Sequence, residues 1–226
     1  MKFDAADMYA ALMHELKNNL GLLTMILDAL PTTGSPVHDD KLDDARLFCQ
    51  RSVERLQQAL LIYKSGSGEL HPVVDAYSPG EMLQQLGDTA LSLARDRLQV
   101  EILIGDQVPV LGFFDRTLVS MALTNALHNS LAHARSSIRV EADLVDGCLA
   151  FTVRDDSPGY PEHILASGAG QGSFSSSGTG LGLRFARMIA QAHENDGRFG
   201  ELRLFNENGA VFRLLLPGFG FVSGPP

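Results

Sequence analysis

Ile138-Arg139-Val140-Glu141-Ala142-Asp143-Leu144-Val145-Asp146-Gly147-Cys148-Leu149-Ala150-Phe151-Thr152-Val153 is two alternating runs around an Asp-Gly turn. Apolar side chains at every second position of Ile138 to Leu144, and again in Leu149 to Val153, predict two strands with one face toward a core. Asp146-Gly147 tolerates the positive φ that a tight hairpin requires. Upstream, Asp115 to Ala134 reads as a long helix, and Leu98 to Ile104 as a strand. Downstream, a second helix runs from about Leu181 to Ala192. A final strand pair, Glu201 to Phe205 and Ala210 to Leu216, is joined by Asn206-Glu207-Asn208-Gly209. Val73 to Tyr77 looks like a short strand, and Ser78-Pro79-Gly80-Glu81 opens a helix with Ser as N-cap and Pro at its first position. Strands that pair mostly as hairpins, with helices between them, predict an α+β fold: an α/β sandwich with its helices on one face.

The first part of the chain has a different period. Tyr9, Met13, Leu16, Leu20, Leu23, Leu27 and Leu30 recur at spacings of four and three, which is a coiled-coil seam. Pro31, Gly34 and Pro36 interrupt it, and a second seam follows at Leu42, Ala45, Cys49, Ser52, Leu56, Ala59 and Tyr63. Two such helices form a hairpin, and seams this narrow favour pairing with a second copy into a homodimeric four-helix bundle. Lys64-Ser65-Gly66-Ser67-Gly68-Glu69 has the composition of a flexible linker. The expected domains are therefore 1–66, the hairpin, and 67–226, the sandwich.

Composition narrows the function classes. Lys and Arg number 18 against 27 Asp and Glu, a formal charge of −9. That sign repels phosphate backbones and anionic lipid, so neither nucleic acid nor a membrane surface is an expected partner. Apolar residues make up 45% of the 226, enough for a real core. Two cysteines, Cys49 and Cys148, are no disulfide framework and fit a reducing compartment. No signal peptide or bilayer-length apolar run is legible, so a cytoplasmic location is expected.

Four clusters ask for chemistry. His14-Glu15-Leu16-Lys17-Asn18-Asn19 places His14 about 160° from Leu16 around the first helix, facing water. Glu15 can reach the imidazole, orient its tautomer and accept a proton. Asn18, at i+4, can position a water over His14. In Asn125-Ala126-Leu127-His128-Asn129-Ser130, two asparagines at i and i+4 share one face of a helix that would rather not hold them. They either cap a neighbouring loop or offer amide oxygen to Mg2+. Arg154-Asp155-Asp156-Ser157-Pro158-Gly159 is a plain turn or a carboxylate at a strand end accepting from a base's amine, with Gly159 allowing close approach. Gly178-Thr179-Gly180-Leu181-Gly182-Leu183 opens a helix with glycines, so backbone N–H groups and the helix dipole can face a phosphate. The Gly/Ser-rich run Gly168 to Ser177 ahead of it suggests a mobile lid. The spacing fits neither a Walker A loop nor a Rossmann fingerprint.

In this order the clusters resemble the H, N, G1 and G2 boxes of bacterial sensor histidine kinases, a resemblance that runs from the His14 helix to Pro217. It implies a dimerisation and phosphoacceptor hairpin followed by an ATP-binding domain of the GHKL type. His14 would be the phosphoacceptor, with Glu15 as its acid-base neighbour and Asn18 as the water-placing residue of the family's phosphatase pattern. Asn125 and Asn129 match the N-box asparagines, Asn129 being the Mg2+ ligand. Asp155 matches the adenine-recognising aspartate and Gly159 the second glycine of its box. Gly178, Gly180 and Gly182 match the phosphate-loop glycines, with Thr179 and Leu181 between them. Ser157 stands where that pattern has its first glycine, and Asn19 where the H box usually has proline.

The resemblance implies ATP and Mg2+ as cofactors and a cytoplasmic histidine kinase that autophosphorylates His14. The phosphoryl group would then pass to an aspartate of a response-regulator receiver domain. No sensor segment is recognisable, so the input is expected from a separate protein or from a longer chain. The competing reading is a histidine phosphotransfer protein on a degenerate kinase scaffold, without ATP turnover.

Overall fold

The computed structural model describes residues 20, 21, 25, 52, 70–94, 97–166 and 181–218. Leu20, Gly21, Met25 and Ser52 are helical; the rest of the expected hairpin, and with it the four-helix bundle, lies outside the described residues. The chain divides into two compact units, of which the one that follows comprises His71–Ser175 and Gly182–Pro226.

Its elements are β1 (Asp75–Tyr77), α1 (Pro79–Ala94), β2 (Gln99–Ile104), β3 (Gly112–Phe114), α2 (Arg116–His133), β4 (Ser137–Val145) and β5 (Cys148–Asp155). After them come α3 (Glu162–Ala166), α4 (Leu181–Ala192), β6 (Glu194–Asn195), β7 (Arg198–Phe199), β8 (Glu201–Asn206) and β9 (Ala210–Pro217). Five strands form a mixed sheet in the order β2-β4-β5-β9-β8. Only β2 and β4 run parallel, because α2 lies between them in sequence and carries the chain back over the sheet. The remaining neighbours are antiparallel, and β4 and β5 pair from Ile138↔Asp155 to Val145↔Cys148. Asp146 (φ 54°) and Gly147 (φ 75°) make the expected two-residue turn.

The register puts Val140, Val153 and Phe212 in one row and Ala142, Phe151 and Leu214 in the next, all but sealed from solvent. This is the face the helices cover. Phe114 meets Phe151 edge-on, ring centres 5.8 Å apart, a favoured aromatic geometry. In α1 a Cβ at Gly87 would overlap the Ile102 side chain, so that glycine lets the helix settle onto β2. The opposite face is charged: Glu101 pairs with Arg139, Arg139 and Arg154 with Glu141, and Arg154 with Glu207. Such exposed pairs keep the face in water and contribute little stability.

Helix starts follow their caps. The Ser78 hydroxyl accepts from the Glu81 N–H (3.2 Å), and Asp115 from the Leu118 N–H (3.0 Å). The second Asp115 oxygen accepts from the Val73 N–H (2.8 Å), so one carboxylate caps α2 and ties down the strand entering the domain. Strand β1 is shorter than the expected Val73 to Tyr77 for this reason: the Val73 N–H goes to Asp115 instead of to β3. The β6–β7 hairpin was not expected, although Asp196 (φ 51°) and Gly197 (φ 76°) repeat the Asp-Gly turn of the main hairpin.

His193 fastens the end of α4 to the start of α2. Its Nε2 accepts from the Asp115 N–H (2.9 Å), which leaves Nδ1 to donate to the Ile189 carbonyl (2.8 Å). Burial holds its pKa below the ordinary value despite the Ile189 carbonyl and the Asp115 charge. The unfolded imidazole therefore takes up a proton first as pH falls below about 6.5, so stability is complete above that pH and drops beneath it. We expect the urea midpoint to fall between about pH 7.5 and 5.5, and the fall to shrink in His193→Gln; an identical slope in the variant would contradict this role.

Candidate functional site

Helix α2 is buried through its middle, from Ala122 to Leu123 and from Asn125 to His128, which places polar side chains where they need a purpose. Asn125 is 7% exposed, and its Nδ2 has no hydrogen-bond partner among the described residues. A buried amide left so costs on the order of 1–3 kcal/mol unless a ligand satisfies it. Gly182, in the first turn of α4, comes so near that a Cβ there would overlap the Asn125 carboxamide. The Asn125 amide is thus set against a helix start, where backbone N–H groups favour anions. One turn on, Asn129 is exposed, and its amide oxygen is engaged by no described residue.

Asp155 ends β5 with its carboxylate buried, 8% exposed. Oδ1 accepts from the Ser157 N–H (2.9 Å) and, more loosely, from the Ala210 N–H (3.4 Å). Oδ2 accepts from the Ser130 hydroxyl at 2.7 Å and, among the described residues, from nothing else. One acceptor direction of Oδ2 is left for an incoming N–H. Ser157, in the place of a glycine, turns its hydroxyl inward to accept from the Gly159 N–H (3.1 Å), so the side chain closes the loop instead of blocking it. Gly159 has φ +93°, and a Cβ on it would lie 2.6 Å from Asn206, so glycine is required there twice over.

Two neighbours shape this end of the sheet. Burial first, and the Asp155 charge second, push the Tyr160 phenol above its ordinary range, so it stays protonated at neutral pH. At Asp156, desolvation pushes the carboxyl up, but hydrogen bonds from the Ser136 side chain and from backbone N–H groups of residues 135–137 outweigh it. They hold the carboxyl well below the usual range. Asp156 accepts from the Arg135 N–H (2.7 Å) and the Ser136 hydroxyl (2.5 Å), locking the α2–β4 connection beside Asp155.

Of the residues singled out from sequence, Asn125 and Gly182 come together, and Gly159 lies in the loop that follows Asp155 at the end of β5. Asn129 is on the same helix as Asn125, one turn away. Leu181 opens α4. His14, Glu15 and Asn18, together with Gly178, Thr179, Gly180 and the expected lid, lie outside the described residues. Ser130, Asn206, Gly209 and Ala210 were not foreseen as parts of the site. Their sequence separations from Asp155 or Tyr160 run from 25 to 55 residues, and no local pattern encodes such contacts.

Residues 114–218 match the family model "Histidine kinase-, DNA gyrase B-, and HSP90-like ATPase". The chain is 35% identical to the signal transduction histidine-protein kinase AfsQ2 of Streptomyces coelicolor over 46% of its length, and spans about a fifth (20%) of that relative. Among solved structures, the Acinetobacter baumannii histidine kinase AdeS matches with a TM-score of 0.63 at 16% identity, over 92% of this chain and 98% of that one. The catalytic domain of histidine kinase ThkA, solved nucleotide-free, matches with a TM-score of 0.55 at 21% identity, over 64% and 97%. ShkA in complex with AMPPNP matches with a TM-score of 0.62 at 16% identity, over 96% and 46%. The structural likenesses speak to the fold. The family model and the AfsQ2 match support a GHKL-type ATP-binding domain and a histidine-kinase ATPase core. Among the described residues, no helix is long and apolar enough to cross a membrane.

Proposed function

We propose that this protein is an ATP-dependent histidine kinase that phosphorylates its own His14 and passes the phosphoryl group to an aspartate of a response-regulator receiver domain. The observation that carries the reading is Asp155, a buried carboxylate at a strand end with a single acceptor direction to spare. That is the chemistry of a site for one exocyclic amine, as adenine presents. ATP would supply the γ-phosphoryl group and Mg2+ would neutralise the charge that develops on it.

The chain's own groups do the rest. Asn129, an exposed residue with an amide oxygen to offer, fits a hard cation, and the Asn125 amide beside Gly182 fits a phosphate oxygen. Gly178, Thr179, Gly180, Leu181 and Gly182 would hold the phosphates with backbone N–H groups. His14 would attack as the neutral imidazole. Its nitrogen bonds to the γ-phosphorus, the bond from that phosphorus to the β–γ bridging oxygen breaks, and ADP leaves. Glu15 would orient the ring and accept its other proton. Asn18 would place a water against the partner's phosphoaspartate in a phosphatase reaction. Residues 1–66 would form the dimerising hairpin and 67–226 the catalytic domain of a cytoplasmic homodimer that takes its input from another protein or segment.

The test of the nucleotide half is calorimetry. Wild type should bind Mg·ATP, and Asn129→Ala should lose at least about tenfold in affinity in the presence of Mg2+ while changing little in EDTA. Equal affinity of the two proteins with Mg2+ would remove Asn129 from the metal site.

A further inference from the structure

Resting on the adenine-nucleotide reading of Asp155, we infer that the β8–β9 turn is the second wall of the base site, and that Asn206 is a positioning residue for base recognition. The turn grips the Asp155 loop at successive points. The Asn206 Oδ1 accepts from the Tyr160 N–H (2.7 Å) while its Nδ2 donates to the Tyr160 carbonyl (2.9 Å), so one carboxamide satisfies both backbone groups of a loop residue. Gly159 lies under the same carboxamide, where a Cβ would not fit. Gly209 (φ +148°) lies so close against the Asp155 carbonyl that a Cβ would overlap it. The Ala210 N–H points at the Asp155 Oδ1. Asn206 and Ala210 face each other across the strand pair, so whatever fixes Asn206 also fixes the N–H that Asp155 accepts.

A loop of five residues, Asp156 to Tyr160, follows Asp155 and has no strand partner of its own. Without its clasp to Asn206 its hydrogen bonds to described residues would be confined to its start, to Asp156 and the Ser157 contacts. The direction of the free Asp155 lone pair is then set by a loop hydrogen-bonded at its start and held at Tyr160 by packing of the ring without directional contacts. Asn206 touches no reacting atom; it acts through Tyr160 and Gly159. Its effect is confined to the base, because the phosphate-facing groups, Asn125 and Gly182, belong to α2 and α4.

The experiment compares the full-length wild type with Asn206→Ala and Asn206→Asp, measuring affinity for Mg·ATP and for Mg·tripolyphosphate, with thermal melting of each. Asn206→Ala should lose about tenfold in ATP affinity, because binding must then order a loop that the clasp no longer holds, and stay within about twofold for tripolyphosphate. Asn206→Asp keeps the acceptor and loses the donor, and should fall between; it also serves as the test should Asn206→Ala fail to fold. Unchanged ATP affinity, or equal losses for both ligands, would overturn the positioning role. A wild type that binds tripolyphosphate but not ATP would overturn the adenine reading itself, and the inference with it.

Discussion

Asp155→Asn should leave the domain folded and cost at least about a hundredfold in ATP affinity. Asparagine keeps an oxygen where the Ser157 and Ala210 N–H groups need an acceptor. It converts Oδ2 into an amino group. The Ser130 hydroxyl can rotate to accept from that group, so the buried pair survives with its polarity reversed. An incoming base amine would instead meet a donor facing a donor. Truncation is a poorer test: Asp155→Ala would strand three buried donors, at about 1–3 kcal/mol each, and confuse unfolding with lost binding. Calorimetry with ATP, paired with a melting curve, reads both sides. Wild-type ATP affinity in a folded Asp155→Asn would mean that the base is recognised elsewhere.

The second large effect is expected at His14. His14→Ala should abolish labelling from γ-labelled ATP, because an imidazole nitrogen is the only nucleophile in the proposed transfer, and neither Glu15 nor Asn18 can replace it. On the helical wheel His14 faces away from the Leu16–Leu20–Leu23 seam, so the variant should keep its oligomeric state by light scattering and its nucleotide affinity by calorimetry. A variant that loses its dimer would show that His14 packs in the seam and is no phosphoacceptor.

Local rules reach far into this chain. The hairpin around Asp146-Gly147, the Ser78 cap and the span of α4 are each set by neighbours in sequence, and the structure has them where periodicity and capping place them. Asp196-Gly197 carries the same turn chemistry as Asp146-Gly147, but its two-residue strands are too short to show a period.

The site divides the same way. Asn125 and Gly182 stand out because each residue type is out of place in a helix unless something needs it there, and Asp155 with Gly159 because a carboxylate at a strand end near a glycine offers a close approach. Ser130, Asn206 and Ala210 do not stand out. A serine after an asparagine in a helix, or an asparagine before a turn, is ordinary. Only the strand order, which sets β9 between β5 and β8, carries the 206–210 turn to Asp155. Ser157, a departure from the glycine of the resembling pattern, turns out to be compatible with the loop because its hydroxyl accepts from the Gly159 N–H.

The most direct test is to incubate the purified protein with Mg2+ and γ-labelled ATP and to follow the stability of any label in acid and in alkali. A phosphorus–nitrogen bond on an imidazole predicts label that is lost in acid, survives alkali and is missing from His14→Ala. Label that survives acid and is lost in alkali, or no label on a protein that binds ATP and accepts phosphate on His14 from a phosphorylated receiver domain, would contradict the kinase assignment.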